Sequence, residues 1–271
     1  MKTRIATLTI IAGMISMTAC QKQNDTNDTE AADDVMTSTR GSEATAVEEL
    51  YVGTDCTYDW PATFGSCATV TESSVDFPKT VTINFGTEGC EGIYGHVKKG
   101  QIVIEVTDDI RNEGAVRTIT FVDFSIDEVS IEGSRTATNI GLSTDGFILI
   151  AVSGDFEATK GDYTRTHSFD RQREWILGSE TCDWSDDEFL VTGSGTTTGK
   201  HGKTITHTII DPLHIAPGTC EYILSGTCEI KRGTRGGSMD WGTGGCDNAA
   251  TFTTFSGKVY DVDLDEHKII H

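Results

Sequence analysis

The sequence predicts an all-β fold: a large, curved antiparallel sheet, as a rolled sandwich or open barrel, with disulfide-pinned hairpins. Three observations predict it. Apolar residues alternate with period two along most of the chain. No long window carries a clean helical period. A cysteine-bearing phrase is written twice, "FGTEGC" from Phe85 and "WGTGGC" from Trp241.

The strands follow in order. Val81, Ile83 and Phe85 share one face, with Thr80, Thr82 and Asn84 on the other. Ile102, Ile104 and Val106 share a face. Ile119 and Phe121 alternate with Thr118 and Thr120; the phase then slips to Val122, Phe124 and Ile126, which predicts a bulge. Phe147 to Val152 is solidly apolar and reads as a strand covered on both sides. Later strands are expected at Thr164 to Phe169, Phe189 to Thr192, Thr204 to Ile210, Glu221 to Leu224 and Lys258 to Leu264. Turn signals separate them: Thr144-Asp145-Gly146, Lys160-Gly161-Asp162, Gly199 to Gly202 and Gly233 to Gly237. The abundant threonines suit this reading, because a branched Cβ fits the pleated surface.

The whole chain has 271 residues with 37% hydrophobic content, 29 glycines and 4 prolines, and a formal charge of −21. So acidic a chain repels nucleic acid and anionic headgroups, so neither is an expected partner.

The N-terminus has a different character. Lys2 and Arg4 precede an apolar stretch from Ile5 to Met17, the length of a signal-peptide core and short for a membrane span. Met17-Thr18-Ala19-Cys20 resembles the lipobox of bacterial lipoproteins, which implies cleavage before Cys20 and a diacylglyceryl group on its thiol. Residues 1–19 are then a signal peptide, and 20–49 a polar, acidic tether. Residues 50–271 form a single β domain, with related cysteine modules near 67–106 and 220–264. Several acyl chains on one cysteine anchor a protein on a membrane rather than in it.

Seven cysteines follow Cys20. None shows the close paired spacing of a zinc site, so disulfides are the first reading for an exported chain. Aligning the two phrases places Cys67 opposite Cys220, and "GQIVIEV" from Gly100 opposite "GKVYDVDL" from Gly257. This predicts Cys67–Cys90 and Cys220–Cys246, each pinning one hairpin unit; Cys182–Cys228 is the third expected pair and Cys56 is left over. Each phrase then reads as a disulfide-capped turn, with Gly86, Gly89, Gly242 and Gly245 supplying backbone angles other residues avoid. A phosphate-binding glycine loop needs a helix to follow, and neither copy has one.

The lipobox, "QKQND" after Cys20, "VTINFGTEGCEG", "SMDWGTGGCDN" and the threonine-rich strands together resemble uncharacterised surface lipoproteins of Bacteroidota, of flavobacterial type. The resemblance implies display on the outer membrane surface, with a periplasm-facing anchor as the alternative. It implies no activity and assigns no catalytic residue.

No catalytic set is signalled: there is no Gly-x-Ser-x-Gly elbow and no His-Glu-x-x-His. His201 and His207, with His214, would be the start of a metal site, but solvated strand histidines are the expected reading. Asp261, Asp263 and Asp265 alternate with Tyr260, Val262 and Leu264, as an acidic outer face would. Asp108-Asp109 and Asp186-Asp187-Glu188 read as turn charges. Trp60, Trp175, Trp184 and Trp241 would offer a sugar platform only if exposed, and burial is expected. No cofactor and no metal is expected. The reading is a non-enzymatic binding or structural module held to the membrane through Cys20, with carbohydrate, protein or a hydrophobic molecule as ligand classes. The alternatives are a hydrolase of extracellular polymers and a hydrophobic-ligand carrier that uses the concave sheet.

Overall fold

The computed structural model describes residues 64–92, 95–199, 202–265 and 268–270; the side chains of 268–270 and Trp184 are left aside. Cys20, Cys56, Trp60, His201 and the tether therefore lie outside the described residues. The described chain is all-β. Its strands are β1 (Thr69–Glu72), β2 (Lys79–Glu91), β3 (Val97–Val106), β4 (Val116–Ile126), β5 (Val129–Leu142), β6 (Ile148–Lys160) and β7 (Tyr163–Leu177). They continue as β8 (Glu188–Thr198), β9 (Thr204–Ile215), β10 (Ser225–Arg232), β11 (Arg235–Thr243), β12 (Ala249–Thr254), β13 (Val259–Asp263) and β14 (Lys268–Ile270). A 3-10 turn at Trp184–Asp186 precedes β8. No helix of the described residues is long and apolar enough to cross a membrane.

Every strand pairs antiparallel with its neighbour in sequence, and the order across the single sheet is β1 to β14 without a crossover. The sheet is open: β1 and β14 lie at opposite ends of that order. The large antiparallel sheet expected from sequence is found, as one open sheet that does not close into a barrel. Short hairpins explain it, because an antiparallel pair needs only a tight turn. At Arg232–Arg235 the turn is two residues long, Gly233-Thr234, with Gly233 at φ 65°.

One face of the sheet is buried in two clusters. The first gathers Val81, Ile83, Phe85, Ile102, Ile104, Ile119 and Phe124 from β2 to β4, with Phe64 ahead of β1. The second runs from Ile150, Val152 and Phe169 through Trp175, Phe189, Ile205, Ile230 and Met239 to Phe252 and Tyr260. The aromatic rings of Phe121 on β4 and Phe156 on β6 meet edge-on, with centroids 5.6 Å apart, and join the two.

Glycines shape this face. A Cβ on Gly154 would stand 3.0 Å from the Phe169 ring, one on Gly195 would stand 2.4 Å from His207, and one on Gly237 would stand 2.8 Å from Phe252. Gly154 pairs with Phe169 and Gly195 with His207 in register; in each case a ring lies over the bare backbone of the next strand. An aromatic ring thereby fills the space that glycine leaves and shields its peptide groups.

The repeated phrase has a structural basis. In the first copy the Gly86 N–H donates to Asn84 Oδ1 over 2.8 Å; in the second the Gly242 N–H donates to Asp240 Oδ1 over 2.8 Å. Gly141 and Asn139 on β5 form the same unit at 2.8 Å. Each glycine has positive φ (72°, 86° and 101°), and the ladder shifts register beside Asn84 and Asn139. The motif is therefore an Asx-x-Gly bulge, with the short side chain bonding two residues ahead.

Both predicted disulfides of the modules are present. Cys67 bonds Cys90 and Cys220 bonds Cys246, with Cα atoms 5.5 and 5.8 Å apart. Loops of this size contribute roughly 3 kcal/mol each in the chain-entropy account. Other expectations need correction. Cys228 is a free buried thiol, so it does not bond Cys182; Cys182 is disulfide-bonded, but elsewhere. Positive φ in the second copy falls on Gly242 and Gly244, and not on Gly245. Glu221 to Leu224 is not a strand; β10 starts at Ser225. The strand after Cys246 is β12, so Gly257 opens the next strand along and the modules match for one strand fewer than expected. Phe147 is exposed and Leu149 half-buried, whereas Ile150 and Val152 are buried, so β6 is covered on one face. The predicted slip at Val122 is present: the β4–β5 ladder shifts between Thr120 and Ser125, and Asp123 has φ 49°.

Candidate functional site

Two features of the sheet could carry chemistry, one on each face. The outer face of β5 to β8 holds a groove of about 410 Å³. Register places its lining side by side: Glu132 opposite Glu157, Asp155 opposite Ser168, Glu157 opposite Thr166, Ser168 opposite Thr196 and Thr166 opposite Thr198. These are the solvent-phase residues of their strands, and Glu132, Asp155 and Glu157 are exposed. Gly133, at φ 124°, lets β5 approach β6, for a Cβ there would lie 2.0 Å from the Asp155 carbonyl oxygen. Carboxylates interleaved with hydroxyls accept and donate hydrogen bonds to a polar ligand.

The inner face carries a basic row. Arg117 on β4, Arg135 on β5, and Arg171 and Arg173 on β7 are 0%, 2%, 5% and 2% exposed, so all four guanidiniums are withdrawn from water. They occupy the apolar phase of their strands: Arg117 is in step with Ile119, and Arg171 and Arg173 with Phe169 and Trp175. The Phe169 ring sits beneath two of them, 5.9 Å from Arg135 and 4.9 Å from Arg171. Such cation–π contacts suit guanidinium, which is weakly hydrated and planar.

Beside this row His167 and His207 stack. Their rings are 5.3 Å apart and inclined by 9°. His167 Nδ1 lies 2.8 Å from Thr197 Oγ1, and an Arg171 N–H lies 3.4 Å from His207 Nε2. Burial first, then the charges of Arg171 and His167, push the His207 pKa down to about 3. His207 is therefore neutral, and it is buried rather than solvated as expected. The neighbouring Cys228 thiol is pushed up to about 11 by burial, although Arg171 and the Thr208 N–H oppose this. A thiol so raised is no nucleophile at neutral pH.

The end of the inner face is closed by a clamp. Trp175 Nε1 donates to Asp187 Oδ1 over 2.9 Å, and both residues are buried. Arg111, between β3 and β4, reaches the β7–β8 connection, where Nε donates to Ser179 O at 2.7 Å and a terminal nitrogen to Thr181 O at 2.6 Å. Asp109 is buried and accepts the Arg111 N–H over 2.9 Å. Asp109 and Asp187 are thus structural anchors, not the turn charges expected from sequence.

The remaining candidates separate. His214 Nε2 lies 2.7 Å from Glu188 Oε2, half-buried on β8 and β9, and the described part of the expected histidine set does not converge on one point. Among the described residues no group of three histidine, cysteine or acidic side chains could hold a metal ion. Asp263 and Asp265 both accept from Asn248 Nδ2, at 3.3 and 2.9 Å, and the Tyr222 hydroxyl donates to Asp265, a hydrogen bond that raises the phenol pKa. Tyr260 and Val262 point inward and Asp261 outward, as the alternation predicts. Trp175 and Trp241 are buried. Sequence reasoning missed the arginine row and the groove. The signal for the row was present, as charged residues in the apolar phase of a strand.

Comparison with known protein families, with characterised proteins and with solved structures returns no match.

Proposed function

We propose that the chain is a lipid-anchored protein of the cell envelope, displayed on the outer membrane surface as a non-enzymatic binding or structural module. The observation that carries this reading is the Met17-Thr18-Ala19-Cys20 lipobox. The two disulfides support it, since such bonds persist in oxidising compartments. The sheet supports the scaffold role: its inner face is filled by packed aromatic, aliphatic and guanidinium groups, and its outer face is open. Metabolic labelling with palmitate tests the anchor. Wild type incorporates label and stays with membranes in alkaline carbonate, whereas Cys20→Ala does neither; a labelled or membrane-retained variant overturns the reading.

The groove favours a polyhydroxylated ligand over a hydrophobic one, because its rim alternates Glu132, Asp155 and Glu157 with hydroxyls. Screening the soluble domain against envelope and extracellular polysaccharides tests this. Binding that falls at least about tenfold in Asp155→Asn supports the groove, on the scale of one lost charged hydrogen bond. Binding that is unchanged in that variant removes it.

A further inference from the structure

We infer that the groove on β5 to β8 takes a linear polysaccharide that carries free amino groups, laid across the strands along two rows of hydroxyls and carboxylates. This rests on the reading of the groove as a site for a polyhydroxylated ligand, and narrows that ligand to a cationic sugar polymer.

Charge is sorted by face. The lysines and arginines of β4 to β7 are Arg117, Arg135, Lys160, Arg165, Arg171 and Arg173, and each lies in the phase of its strand's buried residues. β8 and β9 hold neither residue type. Glu132, Asp155, Glu157, Asp170 and Glu174 take the opposite phase. The outer face of these strands is therefore anionic, with no lysine or arginine to offset it. At the groove Glu132 stands directly opposite Glu157 in the ladder, and Asp155 follows on the same face of β6. Like charges directly opposed destabilise a sheet, and an amine seated between them relieves the repulsion.

The hydroxyls supply the second match. Thr118, Thr136, Ser153, Asp170, Ser194 and Thr208 are successive partners from β4 to β9. Thr120, Ser134, Asp155, Ser168, Thr196 and Thr206 form a parallel row two residues along, and three of these line the groove. Five strand gaps of about 4.8 Å make each row about 24 Å long, longer than the groove itself. A periodic row of donors and acceptors fits a periodic, extended polymer of hydroxyls and amines.

Other polymers fit less well. An acidic polysaccharide meets carboxylates and no base. A basic peptide is captured through free backbone groups at a sheet edge, whereas β5 to β8 are paired on both sides. Neither row holds an aromatic or aliphatic side chain that would seat a peptide's apolar residues.

Calorimetry of the full chain in detergent, at about pH 6, tests the inference; amines are protonated and carboxylates ionised there. The probes are glucosamine oligomers of four and eight units, the N-acetylated octamer, a neutral glucan octamer and an oligolysine. The glucosamine octamer should bind, more weakly as salt rises. N-acetylation, or Glu132→Gln/Glu157→Gln, should weaken it at least about tenfold, the scale of a lost charged hydrogen bond. That double variant should melt no lower than wild type, since it removes a repulsion. Thr118→Val/Thr208→Val, on strands beyond the groove, should weaken the octamer and leave the tetramer unchanged. Equal binding of the amine and N-acetyl octamers overturns the cationic class and leaves the polyhydroxyl reading standing; no binding by any of the glycans removes both. Oligolysine binding as tightly as the glucosamine octamer, with loss in the Glu variant, makes the face a peptide site and overturns the proposal. An octamer indifferent to the Thr variant overturns its course along the rows.

Discussion

The imidazoles of His167 and His207 lie face to face inside the sheet, 5.3 Å apart and within 9° of parallel, with the Arg171 guanidinium at the edge of the pair. Each group would repel a proton on the others. The stack can therefore persist only while His207 is neutral.

Acid lability follows. His207 titrates near the ordinary 6.5 in the unfolded chain and at about 3 in the fold. Between those values the unfolded chain binds more protons, so stability is full above about pH 6.5 and declines as the pH falls towards about 3. His207→Phe retains a ring over Gly195 and removes the titration. Denaturant melts at stepped pH should show a shallower acid slope for the variant; identical slopes would show that other groups govern acid unfolding.

Cys228 should behave as a hidden thiol. It is 3% exposed and its pKa is raised to about 11, so maleimide should leave it unmodified in the native protein. In denaturant without reductant the same site should react fully. Mass spectrometry of the peptide that spans residues 225–231 reads both states. Rapid native labelling would mean that the β9–β10–β11 core opens.

Gly195→Ala should destabilise the domain by about 1–3 kcal/mol through overpacking. The added methyl would lie 2.4 Å from His207 and 2.8 Å from the Ser168 carbonyl oxygen. Since Gly195 has no positive φ, the cost reports crowding and not backbone strain. Part of it should be recovered in a His207→Ala background, which frees the ring's space. A double variant no more stable than the sum of the singles would mean that the backbone contact with Ser168 sets the cost.

Much of the fold was legible because period-two alternation acts on each strand separately. Ile102, Ile104 and Val106 are all buried in the positions their spacing assigns. The phase slip at Val122 marked a bulge for the same reason, since an extra residue flips every later side chain. Legibility failed where neighbours decide. Ser225 to Arg232 has weak alternation and becomes β10 because β9 and β11 flank it. Arg171 and Arg173 carry no apolar signal, and only their phase with Phe169 and Trp175 discloses that they point inward. Gly86 and Gly242 were legible as turn glycines, but the side chains that bond their N–H groups, Asn84 and Asp240, stand outside the repeated phrase and differ between the two copies. The outer groove was illegible because Glu132, Asp155 and Thr196 come together only through the register of four strands.

The uncrossed strand order has a consequence for biogenesis. Each strand finds its partner in the stretch of chain just made, so no late segment has to be threaded back between earlier ones. Loop closures of this kind are short and entropically cheap. The sheet can be zipped up hairpin by hairpin from its N-terminal edge while the rest of the polypeptide is still emerging, and each new hairpin covers the edge left bare by the one before.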